Sequence, residues 1–111
     1  SRYFLFNKRD QLRGWANVKT GIQKLPCRLE EELTPLAFSG IQVVDPAIFS
    51  LHHQNGSFSI IDVYLKLCCH HLISAYMSHP EAIIYDIGTP AKLEEANRLY
   101  AEGKFNSLIS K

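Results

Sequence analysis

What the sequence lacks narrows the field first. No apolar stretch approaches the ~18 residues that a membrane-spanning helix needs, so none is expected. The first residues, Ser1-Arg2-Tyr3-Phe4, do not read as a charged start followed by a long apolar run, so no signal peptide is read there. Charge of one sign is scarce: 12 Lys and Arg stand against 11 Asp and Glu, a net charge of +1. The longest basic run is Lys8-Arg9, which argues against nucleic-acid partners, since these need a clustered basic surface. The six glycines are isolated and form no G-x-G. Cysteine is sparse, at Cys27, Cys68 and Cys69. An odd count with one adjacent pair is a poor disulfide framework, so free thiols in a reducing cytoplasm are expected.

What is present suits one α/β or α+β domain. The chain has 111 residues, 46% hydrophobic and 21% charged, ordinary values for a globular protein. A chain of this length buries roughly two-thirds of its extended surface. Tyr3 to Phe6 reads as a strand, Asn7 to Asp10 as a polar turn, and Gln11 to Trp15 as the returning strand of a hairpin. Residues 17–33 leave room for one further short strand. Leu36 to Val44 reads as a buried strand interrupted by Gly40. Asp45-Pro46 opens a short helix to about His52, which Gln54-Asn55-Gly56 breaks. Ser59 caps a helix expected over 59–71, whose buried face is Ile60, Ile61, Tyr64, Leu65 and Cys68. Leu72–Met77 and Ala82–Ile87 read as strands. Thr89 and Pro90 then start a helix with the stripe Leu93, Ala96, Leu99 and Tyr100, ended near Gly103.

Read on their own, the polar positions have local roles. Asp86 is a turn residue bonding nearby amides, Thr89 a helix cap, and Asp62 a first-turn carboxylate that suits the helix dipole. Asn17 and Lys19 are solvated turn residues, and Gly40 marks a bulge or a close approach by another group. Cys68-Cys69-His70-His71, with His52-His53 elsewhere, invites a zinc reading. Consecutive helical residues point about 100° apart, however, and do not converge on one ion.

Several segments together resemble a known family. Phe38-Ser39-Gly40-Ile41, followed by Asp45-Pro46-Ala47-Ile48-Phe49, resembles the "FSGI" strand and proline-started helix of sugar-1-phosphate nucleotidyltransferases. Phe58-Ser59-Ile60-Ile61-Asp62 with Tyr64-Leu65 fits next, and Tyr85-Asp86-Ile87-Gly88-Thr89-Pro90 with Leu93 is similar to the family's W-x-D-x-G-T-P-x-x-L segment. Arg2 to Phe6 and Gly14-Trp15 resemble mid-chain strands of its small members, the N-acetylmuramate- and mannose-1-phosphate nucleotidyltransferases. The chain departs from the pattern in two places. Ile84 stands where the family often has tryptophan, and the G-x-G-T-R-L triphosphate loop of the amino-terminal half is missing.

The resemblance implies a carboxyl-terminal, sugar-binding portion, residues 1–111, of a nucleotidyltransferase whose nucleotide-binding half is not in this chain. The implied fold is α/β: half of a Rossmann-like nucleotide-diphospho-sugar transferase fold, with a mixed sheet flanked by helices. The implied enzyme is cytoplasmic and uses Mg²⁺ to join a sugar 1-phosphate to a nucleoside triphosphate, releasing pyrophosphate. Asp86 would be its catalytic carboxylate and metal ligand. Gly40, Ser39, Asn17, Lys19 and Tyr85 would lie on the substrate side. The isolated chain is expected to be inactive. The alternative is a non-catalytic module that binds a sugar phosphate or a partner, with self-association through an exposed sheet edge.

Overall fold

The computed structural model describes residues 1–28, 30–52 and 55–104. His53 and Gln54, part of the histidine pair and of the expected helix break, lie outside the described residues. The chain divides into two compact units, Ser1–Tyr76 and Met77–Lys111.

The first unit is built on an antiparallel hairpin. Strand β1 is Arg2–Phe6 and β2 is Leu12–Asn17. Asn7 makes the turn between them. Its Oδ1 accepts from the Arg9 and Gln11 amides at 2.9 and 3.0 Å, so the buried side chain stands in for backbone partners. The ladder pairs Leu5 with Gly14 and Phe6 with Leu12, leaving Arg13 as the extra residue of a bulge. Such a bulge re-aims the side chain it carries.

A second tight turn, from Asn17 to Gly21, leads to β3, Ile22–Lys24, which pairs with β2. Strand β4, Thr34–Leu36, pairs with β1 on the other side, giving the order β3-β2-β1-β4. Every pairing is antiparallel. The expected mixed sheet is therefore antiparallel among the described residues, because hairpins and a short return join strands that are near in sequence. Its edges, on which the sequence reading places self-association, are only three residues long each. Pro35 also removes a donor from β4, and short edges with proline pair poorly with other chains.

Two helices belong to this unit. Helix α1 is Ile48–Leu51, shorter than the expected span. Asp45 Oδ1 accepts from the Ala47 amide at 2.8 Å ahead of it. Helix α2 is Ile60–Leu67, capped by Ser59, whose Oγ accepts from the Ile61 amide at 3.2 Å. Tyr64 and Cys68 pack with Phe4, Phe6 and Leu12 to form the core. The expected helix to residue 71 is corrected: α2 gives way to turn at Cys68. Beyond this point the chain is bound to the hairpin instead. Arg13 Nη1 takes the Cys68 carbonyl at 3.1 Å, and the Leu12 and Ala75 amides bond Ile73 and Asp10 carbonyls at 2.7 and 2.8 Å.

Three expected strands form no ladder. After β4 the chain through Val44 is irregular, residues 72–77 hold only the isolated Gln11–Ser74 bridge, and residues 82–87 are irregular. A strand needs a neighbour along its length to satisfy its backbone. Among the described residues, 72–77 meet the hairpin only around Ser74, through the Leu12 and Ala75 amides. Some apolar side chains of these segments stand out in solvent, Val43 at 104% and Tyr76 at 96% exposed, while Ile73 and Ala75 pack against the core and the Phe38 ring lies 5.3 Å from the Phe4 ring.

The second unit contains helix α3, Pro90–Ala101. Thr89 Oγ1 accepts from the Lys92 amide at 3.3 Å and Pro90 opens the first turn, as the sequence implies. At the far end Lys104 bonds the Leu99 carbonyl and Gly103 the Tyr100 carbonyl, with Gly103 at φ 75°. That double bond pattern is a Schellman close.

Gly14 is required by close approach. A Cβ there would meet the Lys24 carbonyl oxygen and the Leu25 Cδ2 at 2.7 Å each. The carbonyl is backbone and cannot swing aside. Gly14→Ala is therefore expected to destabilise the chain by about 1–3 kcal/mol, read as a lower urea midpoint at unchanged slope.

Candidate functional site

The residues of the nucleotidyltransferase resemblance fall in separate places. Asn17 and Lys19 sit in the β2–β3 turn, where Asn17 Oδ1 accepts from the Lys19 amide at 3.0 Å. Ser39 and Gly40 follow β4 in irregular chain. Ser39 Oγ accepts from the Ile41 amide at 3.3 Å, and Gly40 adopts φ 86°, a conformation that side chains disfavour. No hydrogen bond or ion pair joins Asn17 or Lys19 to Ser39 or Gly40 among the described residues.

Asp86 and Tyr85 belong to the second unit. Asp86 Oδ1 accepts from the Gly88 amide at 2.8 Å, and Oδ2 lies 3.6 Å from Lys92 Nζ on the first turn of α3. The carboxylate is 77% exposed. An exposed ion pair of this kind is worth about 0–1 kcal/mol, so the Lys92 contact is a weak restraint on Asp86. Asp86 thus performs the turn role, with its carboxylate open to solvent. Tyr85 is engaged with α3: a hydrogen bond to Glu95 raises its phenol above the ordinary range, burial and the Glu95 charge add to this, and Arg98 opposes it.

The fold also builds a cluster that the sequence reading discounted. Cys27, in the turn after β3, reaches the end of α2 and pairs with Cys69 in a disulfide whose Cα atoms lie 5.2 Å apart. The expectation of three free thiols is therefore corrected. Strand β3 returns the chain to the point where α2 ends, so residues 42 apart in sequence meet. Cys68 stays a free thiol, 2% exposed, with its sulfur 3.7 Å from that of Cys27 and 3.4 Å from the Leu65 carbonyl. All three sulfurs lie within 4.8 Å of one another.

Arg13 borders this cluster. Besides the Cys68 carbonyl it binds Glu31 Oε2 at 3.2 Å through Nε and Gln11 Oε1 at 3.2 Å through Nη2. Asn7 Nδ2 donates to the same Gln11 and Glu31 side chains at 3.0 and 3.1 Å. These residues, with Lys8, Arg9 and Glu32, line an open polar depression of about 420 Å³. Nothing in the spacing of Cys27 points to Cys68 and Cys69. The available signal was the adjacent pair at the end of an amphipathic helix.

Comparison with protein-family models, with curated proteins and with solved structures gives no match to this chain.

Burial pushes the Cys68 thiol up, and the Arg13 guanidinium partly offsets this. The thiolate is the reactive form. With the bridge intact, a single thiol per chain is expected to react with an aromatic disulfide reagent at least about tenfold more slowly in the folded protein than in urea. The native rate should climb with pH beyond the range where an ordinary thiol levels off. Fast stoichiometric reaction of the folded chain would show an open thiol instead.

Proposed function

We propose that this chain is the sugar-binding portion of a sugar-1-phosphate nucleotidyltransferase. The observation that supports it most is the Asp86 turn: an exposed carboxylate, a glycine reversal, a threonine cap and a proline-started helix, at the end of a series of segments in the family's order. In that reaction a phosphate oxygen of the sugar attacks the α-phosphorus of the triphosphate, and pyrophosphate leaves. Bound Mg²⁺ would neutralise the charge that builds on the phosphate oxygens. Magnesium takes one or two protein carboxylates and completes its shell with phosphate and water. Asp86, held by one amide and one weak ion pair, fits as such a carboxylate. Gly40, with no atom within 4 Å of a Cβ position, leaves its backbone open to a substrate group.

In the finer fold proposed, the segments that lack ladders here join strands from the nucleotide-binding half in a mixed sheet. The exposure of Ile41, Val43, Leu72 and Tyr76 is consistent with such neighbours. The same exposure favours a second reading, a non-catalytic module that uses these segments to bind a partner.

Titration of the ¹⁵N-labelled chain with hexose 1-phosphate and N-acetylmuramate 1-phosphate, with and without Mg²⁺, separates the two. The enzyme-half reading expects amide shifts at Asn17, Lys19, Ser39 and Gly40, and a Mg²⁺-dependent component that Asp86→Asn removes. Absence of shifts at those residues overturns it. Robust pyrophosphate release by the chain alone would overturn the assignment of triphosphate binding to another segment.

A further inference from the structure

The sulfur cluster stands apart from the sugar-phosphate reading and shares no residue with it. From it we infer that Cys27, Cys68 and Cys69, once reduced, form a three-thiolate site for Zn²⁺ at the junction of the β3 turn and the end of α2.

The geometry carries this. A tetrahedral zinc with Zn–S bonds of about 2.3 Å sets its sulfurs about 3.8 Å apart. The Cys27 and Cys68 sulfurs already stand 3.7 Å apart and all three fall within 4.8 Å; the Cys27–Cys69 pair, bonded in the bridged form, has to part to the zinc spacing once reduced. The objection that adjacent helical residues diverge does not hold here, because α2 ends at Leu67 and Cys69 lies in the turn beyond it. Cys27 enters from the opposite side, across a sequence separation of 42 from Cys69. Two chain segments thus supply the convergence that one helix does not.

The surroundings suit the metal. Cys68 belongs to the apolar core, and Cys27 and Cys69 pack against it, which limits water access and slows metal exchange. Three thiolates on Zn²⁺ leave one net negative charge. The Arg13 guanidinium, on the Cys68 carbonyl at 3.1 Å and paired with Glu31 at 3.2 Å, borders the site. Thiolate donors select soft or borderline cations such as zinc over magnesium. A water molecule completes the fourth position, as in three-ligand zinc sites.

The chemistry balances in two steps. A phosphine or dithiol reductant gives two electrons, the Cys27–Cys69 sulfur–sulfur bond breaks, and each sulfur takes a proton. Zn²⁺ then forms three Zn–S bonds while the three thiols release three protons. The bridged form and the metal form exclude each other, since both use Cys27 and Cys69.

The test uses the whole chain, reduced with a phosphine and then freed of it. Native mass spectrometry and competition with a chromophoric chelator are expected to show one Zn²⁺ per reduced chain and none on the bridged chain. Cys27→Ser and Cys69→Ser should each weaken binding on the order of a hundredfold, whereas His70→Ala and His71→Ala should leave it unchanged. Co²⁺ added to the reduced wild-type chain should show strong thiolate-to-metal charge transfer, a readout that needs no variant to fold. Absence of that band, equal binding by the bridged chain, or a loss at His70 or His71 matching that of the cysteine variants would overturn the site.

Discussion

Much of the first unit depends on where the Arg13 guanidinium goes. Its side chain is 18% exposed, and a charge held that far from water needs its donors filled. Glu31, Gln11 and the Cys68 carbonyl fill them. These partners come from the β1–β2 hairpin, from the stretch before β4 and from the end of α2. One side chain therefore fixes how the sheet, a connecting segment and a helix terminus meet. The bulge in β2 makes this possible, because regular pairing would not leave Arg13 unopposed on the ladder.

The same contact borders the chemistry of the helix end. Beyond α2, Cys69 is bonded to Cys27, and Cys68 lies buried in the core with Arg13 on its carbonyl. The sugar-phosphate reading draws on other parts of the chain: the β2–β3 turn, the irregular stretch after β4 and the Asp86 turn. The two readings rest on different residues, so each stands or falls alone.

Short-range chemistry was legible from the sequence. The Asn7 turn, the Ser59 cap, the Thr89 cap with Pro90, and the close at Gly103 are each set by side chains within a few residues of the backbone they bond. The stripe of α2 was equally visible, and Tyr64, Leu65 and Cys68 are buried as its period implies. What was not legible depends on distance along the chain. Leu36 to Val44 has the composition of a buried strand, but composition does not say whether a neighbouring strand exists. Cys27 gave no sign of its partners, because the return of β3 toward α2 follows from packing rather than from spacing. For the candidate site the division is similar. The Asp86 turn could be read from Gly88, Thr89 and Pro90, whereas its pairing with Lys92 follows from the start of α3.

The bridge between Cys27 and Cys69 has a consequence for how the first unit endures. It closes a loop spanning a sequence separation of 42, and in the chain-entropy view such a cross-link restrains the unfolded chain by about 4 kcal/mol. That is a large share of the 5–15 kcal/mol, roughly, that holds an ordinary domain folded. A reductant removes that restraint from the first unit alone, since neither Cys27 nor Cys69 belongs to the second.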